Sequence, residues 1–186
     1  MKRLLPVLFA FAALGATPLV NAQQVFCKIV GQKQGVIAGD VTIKGLEDRI
    51  GVVAVSEGVS SPRDPASGLP TGKRVHKPFV IVKQLDKASP SLFMAAVTNE
   101  NLSSVDCSIY RRSGGRQPYF EIKLQDATIT SFDIKAREDS DNDRDDLASR
   151  NATLGTFETV QLVFRRITLT DTVHGTTATD DFEAIQ

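Results

Sequence analysis

Ser60-Ser61-Pro62-Arg63-Asp64-Pro65-Ala66-Ser67-Gly68-Leu69-Pro70-Thr71-Gly72-Lys73-Arg74-Val75-His76-Lys77-Pro78 is the run on which the reading of this chain turns. It carries four prolines, two glycines and charges of both signs. It lies between two apolar runs, Ile50-Gly51-Val52-Val53-Ala54-Val55 and Phe79-Val80-Ile81-Val82. A loop this long with no periodicity of its own is uncommon in a compact domain and marks either a functional arm or disorder. Its chemistry argues for an arm. Each X-Pro step biases the preceding residue toward extended backbone, and each proline lowers the entropy of the free segment. Gly68 and Gly72 are expected to supply positive φ where the arm turns. An extended, partly stiffened arm suits contact with another subunit; a solvated surface loop is the plain alternative.

Outward from the arm, the chain alternates as short strands do. Gln24-Val25-Phe26-Cys27-Lys28-Ile29-Val30 forms a first strand ended by Gly31, and Gln32-Lys33-Gln34-Gly35 a polar turn. Val41-Thr42-Ile43-Lys44 alternates cleanly and is expected as a strand; residues 50–55 are apolar at both parities, as in a strand buried on two faces. Residues 79–85 form a further strand. The one convincing helix comes next, with Ser89 as N-cap, Pro90 in the first turn, Leu92-Phe93-Met94-Ala95-Ala96-Val97 as its body and Asn99-Glu100-Asn101 as its stop. It is short and apolar, so it is expected to cover an open end of a sheet. Strands follow at 104–111, 119–124, 128–134, 158–164 and 167–173, with Ser113-Gly114-Gly115-Arg116 as a hairpin turn. Many short strands and one helix predict an all-β barrel or sandwich.

The first residues stand outside this pattern. Lys2 and Arg3 precede an apolar run over 4–20, then Asn21-Ala22 and Gln23-Gln24. That order of charge, apolar core and small-residue site predicts a cleaved signal peptide over 1–22, with residues 23–186 as a single domain. Pro6 and Pro18 and the modest length speak against a spanning helix, so no membrane insertion is expected after cleavage. The predicted location is secreted or periplasmic. Charge points to no polyanionic partner: 22 basic side chains face 22 acidic ones, and without Lys2 and Arg3 the balance is 20 against 22. Nucleic acid is therefore not expected as a partner.

An exported chain meets oxidising conditions. Cys27 shares a strand face with Val25 and Ile29, and Cys107 with Val105 and Ile109, so both sulfurs point at a core. They can bond only if the two strands are neighbours with Cα atoms within about 7 Å. Closing so long a loop would stabilise by roughly 4 kcal/mol in the chain-entropy account. Two free, buried thiols fit the same pattern; export favours the bond.

No catalytic or metal pattern emerges. The run Asp139-Ser140-Asp141-Asn142-Asp143-Arg144-Asp145-Asp146 resembles the start of a calcium loop, but Arg144 stands at the turn-glycine position and Arg150 at the final carboxylate position. Starting from Asp141 fails as well, with Asp146 and Ala152 at those two positions. His76 and His174 lack metal-ligand spacing, and there is no G-x-S-x-G elbow, P-loop or dinucleotide fingerprint. Asn151-Ala152-Thr153 matches a glycosylation acceptor, a pattern too short to carry weight. The expectation is a non-enzymatic protein with no cofactor.

Against that background, residues 62–81 resemble the long loop of the haemolysin-coregulated proteins (Hcp), the tube subunits of type VI secretion systems. Lys83-Gln84-Leu85-Asp86-Lys87-Ala88-Ser89-Pro90-Ser91-Leu92 is similar to that family's K-x-x-D-K-x-S-P-x-L entry to its helix. Phe164-Arg165-Arg166-Ile167-Thr168-Leu169-Thr170 and Gly175-Thr176-Thr177-Ala178-Thr179-Asp180-Asp181-Phe182 resemble its closing segments; tryptophan is missing, and Leu169 and Phe182 stand where the family often has aromatic residues. The resemblance implies a small β-barrel with one short helix and a long extended loop. It also implies a homohexamer, stacked rings, a spike protein at the tip and small effector proteins in the channel. Pro62, Arg63, Asp64, Pro65, Gly68, Pro70, Thr71, Gly72, Arg74, His76 and Lys77 are then the candidate subunit-interface residues. The leader departs from the family, whose subunits assemble in the cytoplasm before secretion. Two alternatives follow: a start further downstream with cytoplasmic assembly, or an exported paralogue that acts as a binding protein outside the contractile machine.

Overall fold

The computed structural model describes residues 24–111, 117–135 and 156–182. The expected leader, the turn at 113–116, the acidic run at 139–146 and the acceptor pattern at 151–153 lie outside the described residues. In order, the elements are β1 (Gln24–Gly31), β2 (Gly35–Ile37), β3 (Ile50–Val52), β4 (Ala54–Ser56), β5 (Val59–Ser60), β6 (Val75–His76), β7 (Phe79–Gln84), α1 (Ser89–Val97), β8 (Leu102–Tyr110), β9 (Phe120–Lys135), β10 (Phe157–Asp171) and β11 (Thr176–Asp181).

All pairings are antiparallel, in the order β2-β1-β8-β9-β10-β7-β4, with β3 added to β1 and β11 to β10. The hydrogen-bonded order is therefore open, but the chain itself joins its ends. Ile50–Val52 pairs with β1 at one end of the sheet, and Ala54–Ser56 pairs with β7 at the other. Between them Val53 donates its N–H to the Val82 carbonyl at 2.8 Å. The expected small barrel is thus completed by one strand that changes partner, not by a continuous ladder.

Register places the core in rows. Ile50, Cys27, Cys107, Ile122 and Leu169 stand side by side across five strands, and Ile37, Ile29, Val105, Leu124 and Ile167 form the next row. Cys27 and Cys107 are directly opposite with Cα atoms 4.0 Å apart, and they form a disulfide buried in the middle of the sheet. The helix adds Leu92 and Ala95 to the same cluster. Burial of a side chain such as Leu92 stabilises by about 1.5–3 kcal/mol.

Several expectations change. Residues 41–44 form no strand: Ile43 accepts from the Leu46 N–H in a tight turn through Gly45 (φ 86°), which folds the segment back on itself. Residues 50–55 are not buried on both faces, because the switch of partner leaves Gly51, Val53 and Ala54 exposed. The breaks expected near 125–127 and 165–166 do not exist. Asp126 adopts φ 50° within β9, and its carboxylate accepts from Arg165 of β10 at 2.9 Å. Aspartate tolerates the left-handed region, so both long strands run on through that pair. Strand β11, rich in threonine, offers no apolar alternation and was not expected. Ser89 is not the N-cap; Ala88 is, without a side-chain hydrogen bond.

Ser89 is turned to a different task. Lys83 of β7, wholly buried, lies 2.6 Å from Glu158 of β10, its direct partner in register. The same ammonium lies 2.8 Å from Asp86 Oδ1 and donates to Ser89 Oγ at 3.2 Å and to the Gln84 carbonyl at 2.8 Å. Glu158 Oε2 has no partner among the described residues, so Lys83 is the cation that compensates this buried carboxylate. At the other end of the helix, Glu100 accepts from the N–H groups of Lys33 and Gln34, fastening the β1–β2 turn. Breaking a buried pair leaves an uncompensated charge and costs about 3–5 kcal/mol, whereas replacing both partners by apolar groups is often neutral. Lys83→Met is therefore expected to lose about that much stability in urea unfolding, and Lys83→Met with Glu158→Leu to recover most of it.

Candidate functional site: a hairpin arm and its root

The extended arm is paired with itself as a hairpin. Val59 pairs with His76 and Ser60 with Val75. Further out, Thr71 N–H donates to the Pro62 carbonyl at 3.1 Å and Asp64 N–H to the Leu69 carbonyl at 2.9 Å, while Arg63 and Pro70 form an isolated bridge. The turn is closed by Gly68 at φ 70°; Gly72 does not adopt positive φ. Asp64 accepts from the N–H groups of Ala66 and Ser67 and from the Ser67 hydroxyl, the last at 2.8 Å. Those bonds, the Ser67 hydroxyl first, hold its carboxyl below the ordinary range. Arg63 Nη1 donates to the Gly68 carbonyl at 3.1 Å. Prolines at 62, 65 and 70 fall where no N–H is needed for pairing, which explains how so proline-rich a run can form a ladder.

The eleven candidate residues divide into two groups. Pro62, Arg63, Pro65, Gly68, Pro70, Thr71, Gly72 and Lys77 are exposed, and Asp64 partly so. Between them Val59, Leu69 and Val75 present apolar side chains that are more than half exposed. Arg74 and His76, by contrast, turn back onto the body of the same chain. Arg74 holds Asp180 of β11 with two N–H groups and donates to the Asp181 carbonyl at 3.3 Å. His76 Nδ1 lies 2.8 Å from Glu57 Oε1 and Nε2 lies 2.9 Å from Asp180 Oδ2. Phe164 and Phe182 meet the imidazole edge-on, at centroid distances of 5.4 and 5.1 Å. Arg166 Nε donates to Asp181 at 2.7 Å, extending the cluster across β10.

Two carboxylates on the two ring nitrogens require both to carry protons, so the pairing assigns His76 as imidazolium. Burial alone would lower its pKa; the hydrogen bonds and charges of Asp180 and Glu57 outweigh that, and the net shift is upward. Asp180 is lowered to about 2, chiefly by the Arg74 hydrogen bonds, with His76 adding to them. Sequence reading found His76 and Arg74 but not their partners. Glu57 carries no pattern of its own, and Asp180 and Asp181 were visible only as part of the closing motif.

A curved antiparallel sheet bridged by residues 50–56, capped by one helix and carrying a hairpin arm, defines a small β-barrel fold with a long loop paired as a finger. Residues 26–170 match the family described as "Type VI secretion system effector, Hcp". The "Major exported protein" of Pseudomonas aeruginosa is 38% identical over 174 residues, covering 88% of this chain and 97% of that protein. A structure described as an Hcp protein superposes with TM-score 0.73 at 31% identity, covering 87% of this chain and 100% of the other. The secreted protein Hcp3 of Pseudomonas aeruginosa gives TM-score 0.66 at 29% identity, with coverages of 86% and 98%. The chain belongs to the Hcp family of type VI secretion tube proteins.

A depressed carboxylate pKa contributes stability that is present above the unfolded value and lost as pH falls through the folded one. The hold of Asp180 on the arm root should therefore be complete above the ordinary carboxylate range and decline as pH falls from there toward about 2. Arg74→Met removes the main cause. The acid midpoint of the Asp180 carboxyl, followed by NMR, is expected to rise by about one unit, with neutral-pH circular dichroism unchanged. An unmoved midpoint would show that Arg74 does not set it.

Proposed function

We propose that residues 23–186 form a homohexameric ring whose copies stack into a tube, with the arm as the contact between subunits or rings. The carrying observation is the arm itself. Its backbone is already paired, its hydrogen bonds over residues 59–73 close within the arm, and it holds Leu69, Val59 and Val75 out to solvent beside Arg63, Lys73 and Lys77. A prepaired finger loses little entropy on docking, and exposed apolar side chains gain by burial. An arm that docks on a different surface of a neighbour makes a heterologous contact, which closes into a ring when the rotation allows. The outward residues of the interface are Pro62, Arg63, Asp64, Pro65, Gly68, Pro70, Thr71, Gly72 and Lys77; Arg74 and His76 serve it indirectly, by setting the arm's root. A spike protein at the tube's end and small effector proteins in its channel are the partners that family membership suggests. The role is structural, without catalysis or cofactor.

Light scattering on purified residues 23–186 is expected to give a mass of about six chains. Deletion of residues 62–71 should preserve circular dichroism while lowering that mass or abolishing stacking. A chain that stays monomeric at high concentration would overturn the ring, and loss of fold on deletion would overturn the interface role.

A second reading is favoured by the disulfide. Cys27 and Cys107 are both buried, and a bond inside the sheet must form before or during closure, under oxidising conditions. Together with a cleaved leader over residues 1–22, this supports folding after export, as a paralogue that binds a partner outside the contractile machine. N-terminal sequencing and non-reducing mass spectrometry of protein from its native compartment are expected to show Gln23 first and no free thiol. Continued export when the secretion machine is deleted would favour this reading over the tube; loss of export would favour the tube.

A further inference from the structure

We propose that His76 is a proton-operated latch for the arm: with the ring protonated the hairpin is clamped between Glu57 and Asp180, and on losing that proton the root is loosened, held by Arg74 alone. The inference rests on how the cluster is assembled. Glu57 lies before β5, Arg74 and His76 come from the arm's returning limb, and Asp180 and Asp181 come from β11, with Arg166 of β10 on Asp181. Phe164 and Phe182 close the ring's edges and leave the imidazole side chain 8% exposed. Around the ring itself, two carboxylates meet two cations, His76 and Arg74. Deprotonation leaves two carboxylates against one guanidinium. It also leaves one ring nitrogen presenting a lone pair to a carboxylate oxygen less than 3 Å away, where attraction becomes repulsion.

The position gives the proton its leverage. His76 is the last residue of β6, two residues before Pro78 and three before the fully buried Phe79. Lys77 N–H donates to the Gly58 carbonyl at 2.7 Å, closing the hairpin immediately beyond the ring. A change at the imidazole therefore acts where the arm meets the body. The tip pairings between Pro62 and Thr71 and between Asp64 and Leu69 are untouched, so the finger moves as a unit. A folded pKa above the unfolded value gives stability that is fully present below about pH 6.5 and is lost as pH rises through the folded value. The Arg74–Asp180 contact survives that loss and fails only on the acid side, so the clamp is closed over a bounded interval of pH.

The latch is intramolecular and stands without the ring; only its consequence for assembly rests on the proposed tube. The chain has two histidines, and in NMR titration of residues 23–186 the His76 signal is identified as the one lost in His76→Gln. His76 is expected to titrate above 6.5. Across that titration the exchange protection of the Lys77 amide, relative to its intrinsic rate, should fall by about tenfold, while that of Val53 in the barrel seam stays level. In His76→Gln the step in Lys77 protection should vanish. Glu57→Gln, which leaves the ring a single carboxylate, should move both the titration and the step to lower pH. A His76 midpoint at or below 6.5, flat Lys77 protection through its titration, or a Glu57→Gln midpoint equal to the parent's would overturn the latch. Light scattering over the same range separates the two ideas: rings that persist while Lys77 protection stays flat reject the latch alone, and a monomer whose Lys77 protection steps with His76 rejects the ring alone.

Discussion

One ammonium group fixes more of this molecule than any other single atom cluster. Lys83 is carried into the interior on β7, where an unpaired charge would be prohibitive. Its compensation comes from Glu158 across the β7–β10 ladder and from Asp86 and Ser89 at the entrance to α1. The register of two strands and the starting point of the helix are thus bound to one site. A one-residue slip of β7 would turn Lys83 to solvent and leave Glu158 alone in the core. The run Lys83-Gln84-Leu85-Asp86-Lys87-Ala88-Ser89, quoted above only as a likeness, is the covalent spacing that brings three ligands of one ammonium together.

From that anchor the chain reaches both of its distinctive features. On the N-terminal side of β7 stands Phe79 in the core, then Pro78, then the arm's root. Beyond the anchor, α1 packs Leu92 and Ala95 into the barrel and meets Phe132 through Phe93. The arm is rigid at its tip for local reasons, Asp64 and Gly68, and rigid at its root for tertiary ones, Arg74 and His76. A finger held at both levels is preorganised for docking. The buried disulfide serves the barrel wall, joining β1 to β8 beside Ile50, where the partner-switching strand begins.

The arm, the alternating strands, the single helix and the inward direction of both cysteines were all legible along the chain. Proline, glycine and strand period are local signals and survive without knowledge of neighbours. What misled was local as well. Val41-Thr42-Ile43-Lys44 alternates like a strand, yet the turn closed between Ile43 and Leu46 folds it back on itself. Asp126 and the arginine pair at 165–166 look like breaks, but an aspartate at φ 50° opposite Arg165 lets both ladders continue. The threonine-rich β11 was hidden because its stability comes from pairing with β10, including hydroxyl contacts such as Thr168 with Thr179 at 3.1 Å.

Composition and order along the chain were thus enough for the class of fold, the existence of the arm and the family likeness, since each depends on residues near one another in sequence. The pairings that give those pieces their roles join positions far apart: Cys27 with Cys107, Lys83 with Glu158, His76 with Asp180. Each needs two surfaces brought to within a few ångströms: the register of neighbouring strands sets the first two distances, and the packing of the arm's returning limb against β11 sets the third. For the same reason the eleven arm residues looked alike along the chain, and the folded barrel alone sorted them into an outward tip and an inward, charged root.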